Sequence, residues 1–268
     1  MMIVDTHSHA GINWFEPVEM ILYQMDQNDV SKTMLIQHAA NYHNRYIIES
    51  TKRFPGRFGA VIWVDVEKPD APETLERLSK EEGVVGVRLH PTDRSPGPDP
   101  LAIWRKATEL GITVSCYARS AEHTSDPEFQ KIVEELPNMT LVLEHLAGAY
   151  RPQSPESVTA PYEWYQSALT LARFPNTYIK FGGLGEFCIR PAKLEAQFQF
   201  EEVPPLIDLA YDAFGPKRMM YGSDYPPVGR REGYRNSLQG VLELAIWKNQ
   251  DEKDWAFGKA AVEAFKLG

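Results

Sequence analysis

The chain alternates between two hydrophobic patterns. Short apolar runs rich in β-branched residues are separated by longer stretches in which Leu, Ile and Ala recur at helical spacing. The short runs predict eight strands, at Ile3–Thr6, Thr33–Gln37, Phe58–Val64, Val84–Leu89, Ile112–Tyr117, Thr140–Glu144, Thr177–Phe181 and Arg218–Gly222. The longer stretches predict helices, most of them opened by Pro, Asp or Glu, at Pro17–Asn28, Ala71–Glu82, Pro100–Leu110, Asp126–Leu136, Tyr162–Phe174, Val203–Phe214 and Tyr234–Trp247.

Apolar strands that alternate with helices favour a parallel sheet covered by helices on its faces. Eight such units favour a (β/α)₈ TIM barrel of the α/β class, with residues 1–268 as a single domain. A doubly wound open sheet would carry a Gly-rich turn after its first strand, whereas this strand runs into His7-Ser8-His9. The longest irregular stretches, Ala149–Pro161 and Gly182–Glu202, follow the sixth and seventh strands and are expected to form loops of the active face.

Composition narrows the class of protein. The hydrophobic fraction of 43% in 268 residues supplies enough apolar surface for a substantial core. The formal charge of −9 disfavours nucleic acid and anionic membranes as partners, because an acidic surface repels phosphates. No apolar run approaches the roughly 20 residues that span a bilayer, and the N-terminus lacks a secretory pattern. We expect a cytoplasmic protein, and Cys116 and Cys188 lie too far apart to predict a disulfide framework.

Four ionisable residues stand where predicted strands end. His7 and His9 follow the first strand, His145 the sixth and Asp224 the eighth. Residues two apart in a strand point to the same face, so the two imidazoles of the first strand project together. The carboxyl ends of all barrel strands meet at one mouth, which brings these distant residues into one cavity. There they either bind a divalent metal or polarise a carbonyl group directly.

These residues carry a resemblance to a known family. His7-Ser8-His9 on the first strand, His145 on the sixth and Gly222-Ser-Asp-Tyr-Pro226 on the eighth resemble the amidohydrolase superfamily. Segments spread along the chain resemble its sugar-lactone and 2-pyrone-4,6-dicarboxylate lactonase branch, at residues 35–37, 58–65, 85–88, 144–148 and 178–181. The resemblance covers nearly the whole chain and implies a TIM-barrel hydrolase of the metal-dependent amidohydrolase-2 type.

Two positions depart from the metal sites of the wider superfamily. After the fourth strand the chain has Arg88 and His90, where binuclear members carry a lysine or glutamate that bridges two metals. After the fifth strand it has Tyr117, where many mononuclear members carry a metal-binding histidine. The resemblance therefore implies one divalent metal ion, with Zn²⁺ as the first candidate, or none. A bound ion would be held by His7, His9, Asp224 and His145.

Hydrolysis needs a base for water and a stabiliser for the oxygen that becomes negative on attack. Asp224 is the candidate base, because a carboxylate with an ordinary pKa of about 3.9 is ionised at neutral pH. His7, His9 and His145, or a metal that they hold, would stabilise the oxyanion. The sequence leaves open whether Asp224 acts as the base, as a metal ligand or as both.

Arginines near the predicted mouth indicate the charge of the substrate. A guanidinium binds a carboxylate through two parallel hydrogen bonds, so arginines at the mouth of an acidic protein predict a small anionic organic substrate. The alternative is that each arginine pairs with a loop acid such as Asp93 or Glu122. The candidate substrate contacts are Arg88, Arg94, Arg119, Arg151, Tyr117, His38 and His43.

The sequence thus predicts hydrolysis of a small, carboxylated lactone by water activated through Asp224. One alternative is a metal-dependent decarboxylase of a small aromatic or muconate-like acid, which the tyrosine at position 117 counts against. The other is a barrel that binds a small acid without catalysis. A helix-covered barrel is also compatible with a homo-oligomer, although no residue indicates one.

Overall fold

The computed structural model describes residues 1–194 and 200–268. Its eight strands form one parallel sheet in which each strand pairs with the next along the chain. Ser8 also bridges Tyr225 in parallel, so the two edges of the sheet meet and the predicted (β/α)₈ TIM barrel is confirmed. The strands are β1 (Ile3–Ser8), β2 (Val30–Ile36), β3 (Phe58–Trp63), β4 (Val84–Leu89), β5 (Thr113–Cys116), β6 (Leu141–Leu143), β7 (Thr177–Phe181) and β8 (Met219–Tyr221).

Helices connect the strands and pack on the outer face of the sheet. They are α1 (Val18–Gln27), α2 (Arg45–Arg53), α3 (Ala71–Ser79), α4 (Ala102–Leu110), α5 (Ala121–Ser125), α6 (Pro127–Glu135), α7 (His145–Gly148), α8 (Glu163–Leu169), α9 (Leu206–Phe214), α10 (Tyr234–Leu242), α11 (Gln250–Asp254) and α12 (Ala260–Ala264). Short 3₁₀ segments lie at Glu156–Val158, Thr170–Arg173, Leu184–Glu186, Pro216–Arg218 and Pro227–Arg230, and a π-helical turn spans Trp255–Lys259.

The strands lie where the apolar runs predict them, although β5, β6 and β8 are shorter than predicted. Helix α2 is absent from the sequence-based prediction. Its buried face combines Ile47 and Ile48 with Ser50 and Thr51, so the apolar period that marks a helix is interrupted. The two hydroxyls donate to the carbonyl oxygens of Tyr46 and Ile48, which satisfies them inside the packed interface.

The two long irregular stretches differ in how far the structure describes them. The stretch 149–161 is described throughout and contains a single 3₁₀ turn. The stretch 182–202 includes residues 195–199, which lie outside the described residues. Within the described ranges, no helix is long and apolar enough to cross a membrane.

The interior of the barrel is apolar at the amino ends of the strands. Val4, Met34, Val142 and Met220 are fully buried there and pack against Phe265 and the alanines of α12. Polar and charged side chains collect at the opposite ends: β1, β4, β5 and β7 each contribute at least one, and Glu144, His145 and Asp224 follow β6 and β8. The carboxyl end of the barrel is therefore the face that carries chemistry, as expected for this architecture.

The backbone turns left-handed where β6 and β8 end. His145, Leu146 and Ala147 in α7 have φ values of 49°, 49° and 57°, and Asp224 has a φ of 55°. Such conformations cost non-glycine residues on the order of 1–3 kcal/mol each and persist only where the surroundings impose them. Two of the four predicted catalytic residues, His145 and Asp224, therefore stand on strained backbone.

Asp5 fastens β1 to the segment that carries Asp224. Its buried carboxylate accepts hydrogen bonds from the backbone N–H of Ser223 (2.8 Å), the hydroxyl of Ser223 (2.7 Å) and the hydroxyl of Tyr234 (2.9 Å). It also accepts from the backbone N–H of His7 at 3.1 Å. Asp5 thereby fixes the distance between the first and last strands, on which the geometry of the site depends.

Candidate active site

The three predicted histidines and the predicted aspartate converge at the carboxyl end of the barrel. The ring centroid of His7 lies 5.0 Å from that of His9 and 4.5 Å from that of His145. The Nε2 atom of His9 lies 3.6 Å from Oδ1 of Asp224. All four side chains are buried. The structure therefore brings together the whole set that the sequence predicts, across 217 positions of the chain from His7 to Asp224.

His9 has a defined orientation. Its Nδ1 atom lies 2.8 Å from the carbonyl oxygen of Ile36, at the end of β2. A carbonyl oxygen only accepts hydrogen bonds, so Nδ1 carries a proton and donates it to Ile36, and Nε2 is the ring nitrogen that faces Asp224. The ring of Phe15 stacks on the imidazole at a centroid distance of 5.0 Å and an interplanar angle of 13°.

His7 is the least satisfied polar side chain of the site. Neither of its ring nitrogens has a hydrogen-bond partner within residues 1–194 and 200–268, although both are buried. Burial, together with the charges of His145 and Lys180, lowers the pKa of His7 well below its usual range. His7 is therefore a neutral imidazole with a free lone pair, which is the form that binds metals.

His145 lies in an anionic environment. Its Nδ1 atom lies 3.3 Å from Oε2 of Glu186, which is itself buried in the loop after β7. Burial alone would lower the pKa of His145, but the Glu186 carboxylate outweighs burial and raises that pKa above its usual value. The imidazolium form of His145 is thus favoured.

Asp224 is clamped on one oxygen and open on the other. Its Oδ2 atom accepts hydrogen bonds from the hydroxyl of Tyr150 (3.2 Å) and from Nη1 of Arg231 (2.9 Å). Burial alone would raise the pKa of Asp224, but the contact with His9 and the charges of His145 and Arg231 outweigh burial and hold that pKa far below its usual range. Asp224 is therefore ionised, and its Oδ1 atom faces His9.

Sequence reasoning missed four residues of this site: Glu144, Tyr150, Glu186 and Arg231. Glu144 directly precedes His145. The sequence could have indicated it, because it is a charged residue at the end of an apolar run. The other three lie in loops, where neither period nor spacing predicts which side chain points inward.

A second cluster of buried charges, the inner cluster, lies below the histidines and consists of Arg88, Ser115, Glu144 and Lys180. Arg88 donates to Glu144 from Nε (3.0 Å) and Nη2 (2.7 Å) and to the carbonyl oxygen of Gln37 from Nη1 (3.0 Å). Ser115 donates to Glu144 at 2.7 Å and accepts from Lys180 at 2.9 Å. Burial favours the neutral acid, but the charges of Arg88 and Lys180 outweigh it and lower the pKa of Glu144 to about 2.

Arg88 was predicted as a substrate contact, but in the structure its guanidinium is bound within the inner cluster. All three nitrogens of its guanidinium are hydrogen-bonded within the protein, and its side chain is only 4% exposed. The guanidinium also lies over the rings of Tyr117 (4.2 Å) and Trp63 (5.1 Å). Binding of a substrate carboxylate by Arg88 stays a prediction, and it would require the pairing with Glu144 to be shared or broken.

The other predicted substrate contacts lie around the mouth in different environments. Arg94 and Arg119 are exposed, and Arg94 donates to the carbonyl oxygens of Pro91 and Asp93. Tyr117 is buried and donates to Gln153 at 3.1 Å. The remaining three occupy neighbouring loops: His38 is partly buried against Phe15, His43 is exposed, and Arg151 donates to the carbonyl oxygen of Phe187.

A cavity of about 740 Å³ opens near Asp224, although its wall includes none of the four predicted residues themselves. Tyr150 and Arg231, which hold the carboxylate of Asp224, form part of its wall. Side chains from the loops after β1, β6 and β8 complete the wall: Trp14, Phe15, Glu16, Pro152, Pro226, Pro227 and Arg230. The cavity has the size and lining of a pocket for a small organic molecule.

The donor atoms at this site fit a divalent metal ion. His7, His9 and Asp224 each offer one ligand atom, and these atoms lie within 4.8 Å of one another. The unpartnered nitrogens of His7 and Nε2 of His9 are imidazole nitrogens, which are donors that Zn²⁺ prefers. Two overlapping groups involve Glu144 or Glu186, but Glu144 is already paired with Arg88 and Glu186 with His145.

Comparison with known proteins places the chain in a family. The family model described as amidohydrolase matches residues 13–267. The chain belongs to the amidohydrolase family. The match begins after His7 and His9, so the placement of these two residues at the site rests on the structure.

Several relatives have been characterised or solved. An L-fucono-1,5-lactonase of Burkholderia ambifaria is 24% identical over 217 residues, which are 78% of this chain and 69% of that protein. A probable 2-pyrone-4,6-dicarboxylic acid hydrolase of Acinetobacter baumannii, solved with citric acid, superposes with a TM-score of 0.75 at 17% identity, over 99% of this chain and all of that one. An amidohydrolase of Burkholderia multivorans, solved with zinc, gives a TM-score of 0.77 at 18% identity, with full coverage of both chains. At these identities the solved structures show a shared fold.

Proposed function

We propose that the protein hydrolyses a small, carboxylated lactone. The observation that carries the proposal is the convergence of three imidazoles and one ionised carboxylate beside a cavity of about 740 Å³. The names of the relatives, a sugar lactonase and a pyrone-dicarboxylic acid hydrolase, support the choice of a lactone. Membership of the amidohydrolase family supports hydrolysis.

Asp224 accepts the proton of the attacking water. Its low pKa makes it a weak base, so it takes a proton only from a water whose acidity is raised by nearby positive charge. His145 supplies such charge, because Glu186 favours its imidazolium form. The same imidazolium stabilises the oxygen that becomes negative when water adds to the carbonyl carbon.

A metal ion would be held by His7, His9 and Asp224, with His145 beside them, and we propose Zn²⁺ as the first candidate. When bound, it would polarise the substrate carbonyl and lower the pKa of water. The clamp of Tyr150 and Arg231 on Oδ2 leaves only Oδ1 of Asp224 directed at the histidines. Asp224 would therefore act through Oδ1, either as the base or as the metal ligand.

The charge of the substrate follows from the cations at the mouth. Arg94, Arg119 and Arg230 are exposed there, while the protein as a whole is acidic. Exposed guanidinium groups around the entrance of an acidic protein attract and orient an anion. We therefore propose that the lactone carries a carboxylate outside its ring.

The proposal is tested with a panel of carboxylated and neutral lactones in a pH-indicator assay. The enzyme is purified with and without a chelator, and its metal content is measured on the same samples. We expect acid release from at least one carboxylated lactone, faster in the metal-containing sample. Release of carbon dioxide from an aromatic acid, with no lactone opened, would replace the proposal by the decarboxylase alternative. Binding of small acids without any turnover would favour the non-catalytic barrel.

A further inference from the structure

The hydroxyl of Tyr150 occupies a position that the hydrolytic step above does not use. It donates to Oδ2 of Asp224 at 3.2 Å and accepts from Nη1 of Arg231 at 2.9 Å. The direction of both bonds is determined, because a guanidinium only donates and an ionised carboxylate only accepts. The phenolic proton therefore points to the catalytic carboxylate, and a positive charge lies against the phenolic oxygen.

Tyr150 is also held at the wall of the cavity. Its ring lies 4.8 Å from the ring of His145, with 35° between the planes. It lines the cavity together with Phe15, Pro226 and Arg231. Tyr150 therefore contacts both Asp224 and His145 while it also forms part of the cavity wall.

Opening of a lactone requires a proton donor for the leaving ring oxygen, and Asp224 alone fills this role poorly. The ring oxygen leaves as an alkoxide, whose conjugate acid has a pKa near that of water, about 15.7. Such a group leaves readily only if it receives a proton as the carbon–oxygen bond breaks. The Oδ2 atom of Asp224 is covered by Tyr150 and Arg231, so a proton that travels from this oxygen to the cavity passes through the tyrosine.

We propose that Tyr150 is the acid that protonates the leaving ring oxygen, an inference that rests on the proposed lactonase function. Water adds to the carbonyl carbon and gives one proton to Asp224. The bond between that carbon and the ring oxygen then breaks, and the ring oxygen takes the phenolic proton of Tyr150. The Asp224 carboxyl rotates and returns its proton to the phenolate. The sum is lactone plus water to hydroxy acid, with both residues restored.

Arg231 supports this step. It donates to the oxygen that becomes negative when Tyr150 loses its proton, so it stabilises the transient phenolate. Its guanidinium is confined by the carboxylates of Asp224 (2.9 Å) and Glu186 (3.8 Å), which fixes its position. Arg231 is therefore a positioning residue for the acid and for the base.

The test uses two lactones that differ in the leaving group. An aliphatic lactone releases an alkoxide, whereas dihydrocoumarin releases a phenolate whose conjugate acid has a pKa of about 10, like tyrosine. We expect Tyr150→Phe to lose roughly 100-fold or more in kcat on the aliphatic lactone, the range of general acid catalysis. On dihydrocoumarin we expect a loss of at most about tenfold, because its leaving group needs little help.

Tyr23→Phe is the matched control, because Tyr23 is exposed on α1 and 57% of its surface is accessible. It should leave kcat on both lactones unchanged. The wild-type enzyme gives a second readout that needs no variant: its kcat should depend only weakly on the pKa of the leaving alcohol across a series of lactones.

Three outcomes oppose the inference in distinguishable ways. Equal losses in Tyr150→Phe on both lactones would show that the tyrosine only orients Asp224, and the lactonase function would stand. A steep dependence of wild-type kcat on leaving-group pKa would show that no acid assists departure. A wild-type enzyme inactive on every lactone would overturn the proposed function and this inference with it.

Discussion

The inner cluster and the histidine site lie next to each other in the barrel and are built in opposite ways. In the inner cluster, Arg88 and Glu144 bind each other through two nitrogens of the guanidinium and both oxygens of the carboxylate. In the histidine site, both ring nitrogens of His7 lack hydrogen-bond partners among the described residues. His9 and Asp224 approach each other to only 3.6 Å.

The difference separates the stability of the protein from its chemistry. A buried charge with a partner holds the fold, and removal of the partner leaves a charge in a place that water does not reach. Donor atoms without partners contribute little to the fold but remain free for a metal or a substrate. Mutations in the inner cluster should therefore mainly lower the stability of the protein, whereas mutations in the histidine site should mainly lower its activity or metal affinity.

The largest effect is expected from Asp224→Asn. The amide cannot accept the proton of water, so kcat/KM should fall by roughly 1,000-fold or more, within the range of general base catalysis. The thermal unfolding midpoint should fall less than in Glu144→Gln, because Arg231 keeps the carboxylate of Glu186 as a partner when it loses the charge of Asp224. Asp212→Asn on the exposed face of α9 is the matched control and should leave both quantities unchanged. Retention of activity in Asp224→Asn would remove the proposed base.

Glu144→Gln should cost about 3–5 kcal/mol in the free energy of unfolding at neutral pH, because it leaves the charge of Arg88 buried without its partner. Denaturant titration measures this cost. In the exposed pair of Arg45 and Glu49, Glu49→Gln is the control and should leave the denaturation midpoint unchanged. Equal midpoints for wild type and Glu144→Gln would contradict a stabilising inner cluster.

The same residue predicts a pH dependence of stability. The folded protein lowers the pKa of Glu144 from its ordinary 4.5 to about 2, so its ionised form is favoured by folding. Its contribution is present above about pH 4.5 and is lost as the pH falls toward 2. The difference in unfolding free energy between wild type and Glu144→Gln should therefore narrow below pH 4.5. A constant difference from pH 7 to pH 3 would contradict this linkage.

His7→Asn should weaken Zn²⁺ binding by about 100-fold or more, since loss of a ligand costs more than the roughly 10–100-fold of a lost outer hydrogen bond. Competition with a chelating dye measures the affinity without any substrate. His43→Asn is the control, because His43 is exposed. Unchanged affinity in His7→Asn would exclude this residue as a ligand.

The smallest effect concerns substrate charge. Arg94→Ala should raise KM for carboxylated lactones by roughly tenfold and leave KM for neutral lactones and kcat unchanged, because an exposed arginine contributes to binding rather than to chemistry. Steady-state kinetics on a charged and a neutral lactone measure the ratio. Similar increases in KM for the charged and the neutral lactone would indicate that Arg94 does not bind the carboxylate.

The barrel and the convergence of the four residues of the candidate site were predictable from the sequence. Alternation of apolar runs with helical segments is a local property, and a residue at the end of each strand follows from it. Helix α2 was not predictable in this way, because its buried face carries Ser50 and Thr51. The hydrophobic period also could not predict the exact bounds of β6, which is only three residues long.

The sequence by itself therefore determined the architecture, the convergence of His7, His9, His145 and Asp224, and the acidic charge of the chain. Only the tertiary structure decided which partners these groups have: Glu144 for Arg88, Glu186 for His145, and Tyr150 with Arg231 for Asp224. The physical reason is that hydrophobic period acts over neighbouring residues, whereas hydrogen bonds and charges act over a few ångströms between segments whose separation in sequence carries no signal.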